Sequence, residues 1–425
     1  MGDASVPTGV APARGPARIL RPLAGRDFRL LFSGETISLL GDQFHFVALA
    51  WLVLQLTGSG LAVGTVLMVA GIPRAIFILV GGAFADRASP RSVMLISNAV
   101  RGTFVGVLAI LVLSGSAELW QLYVLAAVFG IVDAFFWPAL STIVPMLVPE
   151  DHLPAANALM QGSQQLTGLI GPALAGLLVA AVGTGLAFGI DAASFIVAAG
   201  ALVLIRSGRR HAPAEASREA PRANVLGTIR SGVAFAWRDP AIRSLLLLSA
   251  ALNFAINGPV SVGLAWLAHN RFEGGAAAFG IMLSAFGAGA LVGAVVAGSL
   301  GRIRELGWVT LGGSVVMGVA LGLIGFAPSV IVIMVLNLAI GLAVGLLNVR
   351  IVAWLQVRTP SDMIGRVMSL VMLGGLALSP LSLAAAGLLV DLGAATLCFA
   401  VAGGLVVVTA LAGVVWGVPA QMREA

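Results

Sequence analysis

Lysine is absent from this 425-residue chain, so its 24 strongly basic residues are all arginines. Charge is scarce altogether: 10% of the residues are charged, where a soluble domain carries about a quarter. With 59% hydrophobic residues and a mean hydropathy of +1.04, that shortage excludes a soluble globular protein. A single cysteine, Cys398, excludes an internal disulfide and a thiolate metal site. The histidines, His45, His152, His211 and His269, are scattered without zinc-site spacing, and no Gly-rich phosphate loop is present. Nothing suggests an enzyme, and no cofactor or metal is expected. The apolar runs are continuous and do not alternate, which excludes a transmembrane β-barrel.

What remains is an all-α membrane protein. About 20 apolar residues cross the hydrocarbon layer, and the runs near 28–55, 61–85, 92–114, 119–142, 155–181 and 184–205 meet that need. A second set follows near 241–268, 277–300, 306–326, 329–356, 363–390 and 395–417, making twelve transmembrane helices in all. Residues 1–27 read as a disordered basic tail without the apolar core of a signal peptide. The expected domains are therefore bundles at 28–205 and 241–418, a linker at 206–240 and a second tail at 419–425. Within the linker, Val225, Ile229, Val233 and Ala236 are spaced as on one face of an amphipathic surface helix.

With the N-terminus inside, the cytoplasmic side collects almost every arginine, including the cluster from Arg206 to Arg243, and the opposite side keeps Arg271. The positive-inside rule then places both termini in the cytoplasm of a plasma-membrane protein. This asymmetry accounts for the pI of 11.2, so nucleic-acid binding is not needed to explain it.

The halves repeat. Gly130–Pro149 matches Gly341–Pro360 at an offset of 211, which also takes Asp151 to Asp362 and Gly176 to Gly387. Gly64, Gly71 and Gly82 fall on Gly280, Gly287 and Gly298 at an offset of 216. Order, offset and helix position together carry this signal, since glycine alone is common here.

The connection Gly82-Ala-Phe-Ala-Asp86-Arg87-Ala-Ser-Pro-Arg91 places three formal charges between two apolar runs. A loop that merely turned could use any polar residues, so these charges imply partners. The spacing Gly-x-x-x-Asp-Arg-x-x-x-Arg resembles the loop between helices 2 and 3 of the major facilitator superfamily of secondary transporters. The segments Ser38-Leu-Leu-Gly41-Asp42, Asp133-Ala-Phe-Phe-Trp-Pro138, Leu169-Ile-Gly171-Pro172-Ala-Leu-Ala-Gly176 and Ile190-Asp191-Ala-Ala-Ser-Phe195 resemble its drug:proton antiporter branch, which holds enterobactin and macrolide exporters. The resemblance implies two pseudo-symmetric six-helix bundles, the major facilitator fold. It also implies a central cavity lined by helices 1, 4, 7 and 10, and a monomeric transporter.

An ionisable residue inside the membrane costs about 2.5–3.5 kcal/mol on insertion scales and is a functional candidate by default. Asp42, mid-way along the first crossing, is the leading candidate for a proton carrier. His45 shares its helical face three residues on. Glu35 lies two turns earlier, with Arg101 at similar depth to neutralise it. Asp133 lies in the cytoplasmic half of the fourth crossing. The resemblance implies a gating latch in which Arg91 or Arg87 binds an acid on helix 4. In the same latch Asp86, in the motif opened by Gly82, faces the start of helix 11, where the helix dipole and Arg366 are positive. Ser89 and Pro90 depart from the family pattern, and Gly298-Ser-Leu-Gly-Arg302 lacks the acid, so one latch is expected. Gly171, Pro172 and Gly176 resemble the helix 5 motif associated with antiporters; Pro172 removes a backbone hydrogen bond and the glycines allow close helix contact.

Asp191, in the sixth crossing, is expected to make a structural contact, and Arg74 and Arg350 are candidate counter-charges. Cavity candidates are Arg74, Phe136, Trp137, Asn253, Asn257, Asn337 and Asn348; large apolar groups with sparse amides suit a bulky, partly lipophilic molecule. The expected function is export of such molecules in exchange for protons, by alternating access in the lipid bilayer. Proton-coupled import, lysolipid transport and membrane sensing without transport are the alternatives.

Overall fold

The structure, a computed structural model, describes residues 19–85, 89–206, 233–301, 305–360 and 363–422, with the backbone alone at a few positions near 78–85 and 365–377. Among the described residues there is no strand. The helices in chain order are α1 (Arg26–Thr57), α2 (Gly60–Ala85), α3 (Pro90–Leu113), α4 (Leu119–Leu147) and α5 (Leu153–Leu204). They continue as α6 (Pro240–Gly258), α7 (Leu264–Asn270), α8 (Gly275–Ser299), α9 (Leu306–Ile324) and α10 (Val330–Arg358). Last come α11 (Ile364–Ala377), α12 (Ser379–Asp391), α13 (Ala395–Val415) and the single turn α14 (Val418–Gln421). Ten helical segments among the described residues are long and apolar enough to cross a membrane by length and composition.

The breaks have local causes. Gly58 ends α1 at φ 64° and ψ 6°, a left-handed cap that glycine adopts without a Cβ penalty. The 52 residues of α5 are two rods meeting at Gly183, whose φ of 83° and ψ of 170° are open essentially to glycine alone. That break falls where the sequence places the boundary between the fifth and sixth crossings. Pro259 lacks an amide donor, and a π-helical stretch, Pro259–Gly263, carries α6 into α7. The chain breaks again at Leu378, between α11 and α12, because Pro380 at the start of α12 has no amide to donate to the turn before it.

Ile110, Ile196, Ile331 and Val357 are strongly exposed, while Phe188, Phe195, Phe279 and Phe399 are fully buried. Lipid tails are as apolar as leucine, so outward-facing aliphatic side chains cost nothing in a bilayer and helix association depends on close packing instead. The packing repeats with the sequence. A Cβ on Gly130 would strike the Ala70 carbonyl, and one on Gly341 the Phe286 carbonyl. Gly64 lies against the Leu383 carbonyl and Gly280 against that of Pro172; Gly387 lies against the Gly60 carbonyl and Gly176 against that of Ala276. Each pair is its counterpart shifted by the offsets 216 and 211. The helix 5 motif, Gly171, Pro172 and Gly176, therefore sits where α5 packs on α1 and α8: a Cβ on Gly171 would lie 2.9 Å from the Gln43 Cβ, and the Ala173 amide donates to Ser284 Oγ at 2.8 Å.

The chain ends differ from the expected tails. Residues Arg21–Ala24 form a 3-10 turn that leads directly into α1. Val418 and Met422 are buried, and Gly307 N–H donates to the Met422 carbonyl at 3.2 Å, because the last turn packs against the start of α9. Of the expected amphipathic helix at 224–238, residues 233–238 are helical and the others lie outside the described residues.

Asp239 caps α6, accepting from Ala241 N at 2.9 Å and Ile242 N at 3.3 Å, and pairs with Arg358 of α10 at 3.0 Å. Partial burial pushes its carboxyl upward, but the Arg358 bonds and charge and the two amides outweigh that, holding it below the ordinary aspartate value. A carboxyl lowered on folding contributes stability above its unfolded value and loses it as pH falls through the folded one. Asp239→Asn is expected to lower the melting temperature in detergent at pH 7, by roughly 1 kcal/mol of cap and pair stability. The gap from wild type should close as the pH approaches 3; a gap that persists there would show that charge plays no part.

Candidate functional site

The apolar helices enclose a cavity of about 420 Å³ between α1, α2, α4, α6 and α12. From α1, Glu35, Ser38, Asp42, His45 and Phe46 line it, a spacing of three and four residues that puts them on one face. Arg74 of α2 follows Pro73, and Arg101 enters from α3. α4 supplies Phe129, Asp133, Phe136 and Trp137, and the second half of the chain supplies Asn257, Ser261 and Ser379. All charged lining residues belong to the first half.

Arg101 is the hub. Its guanidinium reaches Asp133 Oδ1 at 3.3 Å and Asn98 Oδ1 at 3.1 Å, and lies over the rings of Phe136 at 4.2 Å and Phe195 at 4.8 Å. Only 3% of its side chain is exposed, and a planar donor fork above aromatic faces is an arrangement that lysine could not reproduce. Arg74 approaches the other oxygen of Asp133 at 3.9 Å, so this carboxylate is shared between two arginines. Asp133 is thus neutralised in place. Among the described residues, neither Glu35 nor Asp42 has an ion-pair partner; Arg101 is the cation that acts on both, from beyond contact distance.

His45 is held from behind. Nδ1 lies 3.2 Å from Asp191 Oδ2, and the imidazole stacks on Phe129 with centroids 4.4 Å apart. Gly41 makes the approach possible, because a Cβ there would come within 2.6 Å of Asp191 Oδ1.

The structure brings Glu35, Asp42, His45, Asp133, Arg74, Phe136, Trp137 and Asn257 together as expected, and it corrects other expectations. Arg101 bonds Asp133 and not Glu35 because Asp133 lies directly across from it on α4. Arg91 does not bind Asp133: Nε donates to the Leu202 carbonyl at 2.7 Å and Nη2 to that of Val203 at 2.8 Å. It donates to carbonyls of the last turn of α5, a common use of a cation at a helix C-terminus. Arg350 likewise donates to the Leu300 carbonyl. Asn337 is fully buried, donating to the Met282 carbonyl at 2.9 Å, so it joins α10 to α8 and is no cavity group. Asn253 bonds back to the Ser249 carbonyl at 2.8 Å, and both Asn253 and Asn348 are exposed and do not line this cavity. Asp86 and Arg87 lie outside the described residues, as do the surroundings of Gly82 and the side chain of Arg366, so the latch they were expected to form is not described. The sequence reading missed Asn98 and Phe129, whose polar and aromatic types carry no signal until the helices are assembled.

At the end where α1 stops and α2 begins, Asp391 of α12 accepts from Ser59 Oγ at 2.5 Å, Gly60 N at 2.6 Å and Leu61 N at 3.0 Å. Trp51 packs edge-on to His269 beside it, centroids 5.1 Å apart. These contacts tie the first half of the chain to the second.

Residues 17–424 match the family model described as transmembrane secretion effector. The chain belongs to the major facilitator superfamily. It is a multi-pass membrane transporter of small-molecule substrates. Within the superfamily it is 28% identical to the MFS-type transporter YfiS of Bacillus subtilis, over 90% of this chain and 91% of that protein. It is also 28% identical to the multidrug efflux pump Tap of Mycolicibacterium fortuitum, over 85% and 88%. The enterobactin exporter EntS of Escherichia coli is 28% identical over 80% and 79%. Among solved structures, the nucleoside transporter NupG has the same fold, with a TM-score of 0.72 at 13% identity over 92% of this chain and 99% of that one. A POT family transporter in complex with a thioalcohol-conjugated peptide gives 0.71 at 16% identity over 94% and 97%.

Proposed function

We propose that this transporter exports small, partly lipophilic organic molecules from the cytoplasm in exchange for protons. The observation that carries the reading is Asp42: an intramembrane carboxylate that lines the cavity, beside a second acid, Glu35, with no cation paired to either among the described residues. Such a group can exchange a proton with water or with a substrate that displaces it. The walls of Phe46, Phe129, Phe136 and Trp137, relieved by Asn257 and Ser261, suit a bulky apolar body with a few polar groups. The efflux functions of Tap and EntS support the outward direction.

The path is alternating access by twelve crossings in two bundles of six, acting as a monomer. In this count α5 contributes two crossings, and α6 with α7, and α11 with α12, contribute one each. The glycine contacts that repeat at fixed offsets support two halves related by an axis along the membrane normal. Both termini lie in the cytoplasm of the plasma membrane, as the arginine asymmetry supports. Asp391 then clasps the extracellular end. Gly82, Asp86 and Arg87 act at the opposite end with Arg366, and Arg91 secures the end of α5 beside them.

The test is made in everted vesicles energised to an acid interior, with a pH-sensitive dye inside. A panel of lipophilic cations, macrolides, siderophores and lysolipids is added in turn. At least one compound is expected to discharge the gradient in vesicles with the protein and not in vesicles without it. If none does while the protein is folded and inserted, proton-driven export of these classes is wrong.

A further inference from the structure

We propose that Asp191 is a positioning residue for proton transfer: it fixes His45 with Nδ1 as the protonated nitrogen and leaves Nε2 as the basic atom toward the cavity. The inference rests on the proton-exchange reading, but part of its test does not.

Asp191 is an acid with no exposure, in the second rod of α5 and outside the cavity lining. Such a group is costly to keep in a membrane protein unless it is paired. Among the described residues its ionisable partner is His45, whose Nδ1 lies 3.2 Å from Oδ2, close enough for charge attraction though not aligned as a hydrogen bond, and neither atom has a hydrogen-bond partner. The second oxygen is occupied, weakly, by Ser194 Oγ at 3.5 Å. A neutral imidazole has one N–H and one lone pair. A carboxylate only accepts, so a proton on Nδ1 is attracted to Asp191, whereas a proton on Nε2 would set two lone pairs against each other at 3.2 Å. The stack on Phe129 and the edge contact with Phe188 at 5.7 Å prevent the ring from turning away.

The consequence is a defined site for a second proton. His45 lines the cavity three residues from Asp42. A proton taken up on Nε2 converts the ring to an imidazolium whose charge is balanced by Asp191 from behind, and its return to the cavity restores the starting tautomer. The other charges lining the cavity with His45 are Asp42 and Glu35 on α1, Arg74 on α2, Arg101 on α3 and Asp133 on α4. Arg101 and Asp133 are bonded to each other, so the acids left are Asp42 and Glu35, and Asp42, three residues from His45 on the same face, is the one placed to exchange a proton with it.

Two measurements test the inference. The first is nitrogen-15 NMR of histidine-labelled protein in bilayers, with the His45 signal assigned by its loss in His45→Asn. Wild type is expected to carry the proton on Nδ1 at neutral ring charge, and Asp191→Asn to show a mixture of tautomers. A wild-type ring protonated on Nε2 would overturn the proposal whatever the transport results. The second is the pH profile of transport. Asp191→Asn is expected to move its midpoint, with the half-saturating substrate concentration unchanged. In a His45→Asn background Asp191→Asn should add nothing. A role in folding alone would instead cut the maximal rate at every pH and do so equally in both backgrounds. If wild type transports without moving protons, export by proton exchange fails, and the tautomer measurement still decides the role of Asp191.

Discussion

Asp42→Asn is expected to reduce substrate-driven proton release to the level of vesicles lacking the protein, while leaving the fold intact. The side chain is half-buried at the cavity wall without a bonded cation, and asparagine keeps its size and its capacity to accept a hydrogen bond. Only the exchangeable proton is lost. Counterflow of labelled substrate, which needs no net proton movement, should therefore persist at a substantial fraction of the wild-type rate. Glu35→Gln is the informative companion. Glu35 is only 3% exposed and deeper in the wall. Coupling that survives Asp42→Asn but disappears in Glu35→Gln would transfer the proton-carrying role to Glu35. Coupling that survives both would remove the carboxylates of α1 from the mechanism.

The second large effect concerns the Asp391 clasp. One carboxylate accepts from a hydroxyl and from two amides in the first turn of α2, where backbone donors have no helical partner and the helix dipole favours an anion. All three bonds join α12 to α2 and the residue before it, across the two halves of the chain. Their removal in Asp391→Ala should weaken only the conformation in which that end is closed, by about 1 kcal/mol for a capping interaction. An equilibrium changes about fivefold for that energy. The shift can be read as reaction of Ser261→Cys with a membrane-impermeant thiol reagent. Cys398, the natural cysteine, is buried in α13 and is replaced by serine beforehand. Ser261 lines the cavity, and its labelling from the extracellular side should quicken about fivefold. Asp391→Asn, which keeps an acceptor but not the charge, should fall between the two. An unchanged labelling rate in Asp391→Ala would mean that Trp51, His269 and the apolar contacts hold that end by themselves.

Much of this architecture was legible one helix at a time. Hydropathy located the helices because the rule it reads is local: a segment in hydrocarbon must satisfy its own backbone and needs enough apolar length to cross. The division at Gly183 was visible as a short gap between two apolar runs. The glycine offsets anticipated contacts such as Gly64 with Leu383 and Gly280 with Pro172, because a repeated close approach needs the same small residue each time. The acids of α1 were legible for a related reason, since a charged residue in an apolar run stands out alone.

Partnership was not legible in that way. Glu35 and Arg101 were matched by estimated depth, but Arg101 turned to Asp133 and Asn98 because the rotation of α3 against α4 set those distances. Arg91 was matched to an acid by family pattern and bonds carbonyls instead. Asn337 was indistinguishable from Asn257 as a residue type, yet one ties two helices together and the other faces the cavity. Asp191 was read as a structural contact, and only the passage of Gly41 beside it reveals His45 as its partner. By itself, then, the sequence determined that this is an all-helical membrane transporter, where its apolar helices lie and which residues are costly to bury. Tertiary structure decided which of those residues are neutralised and which lack an ion-pair partner among the described residues, because pairing depends on the rotation and crossing of helices that only their mutual packing sets.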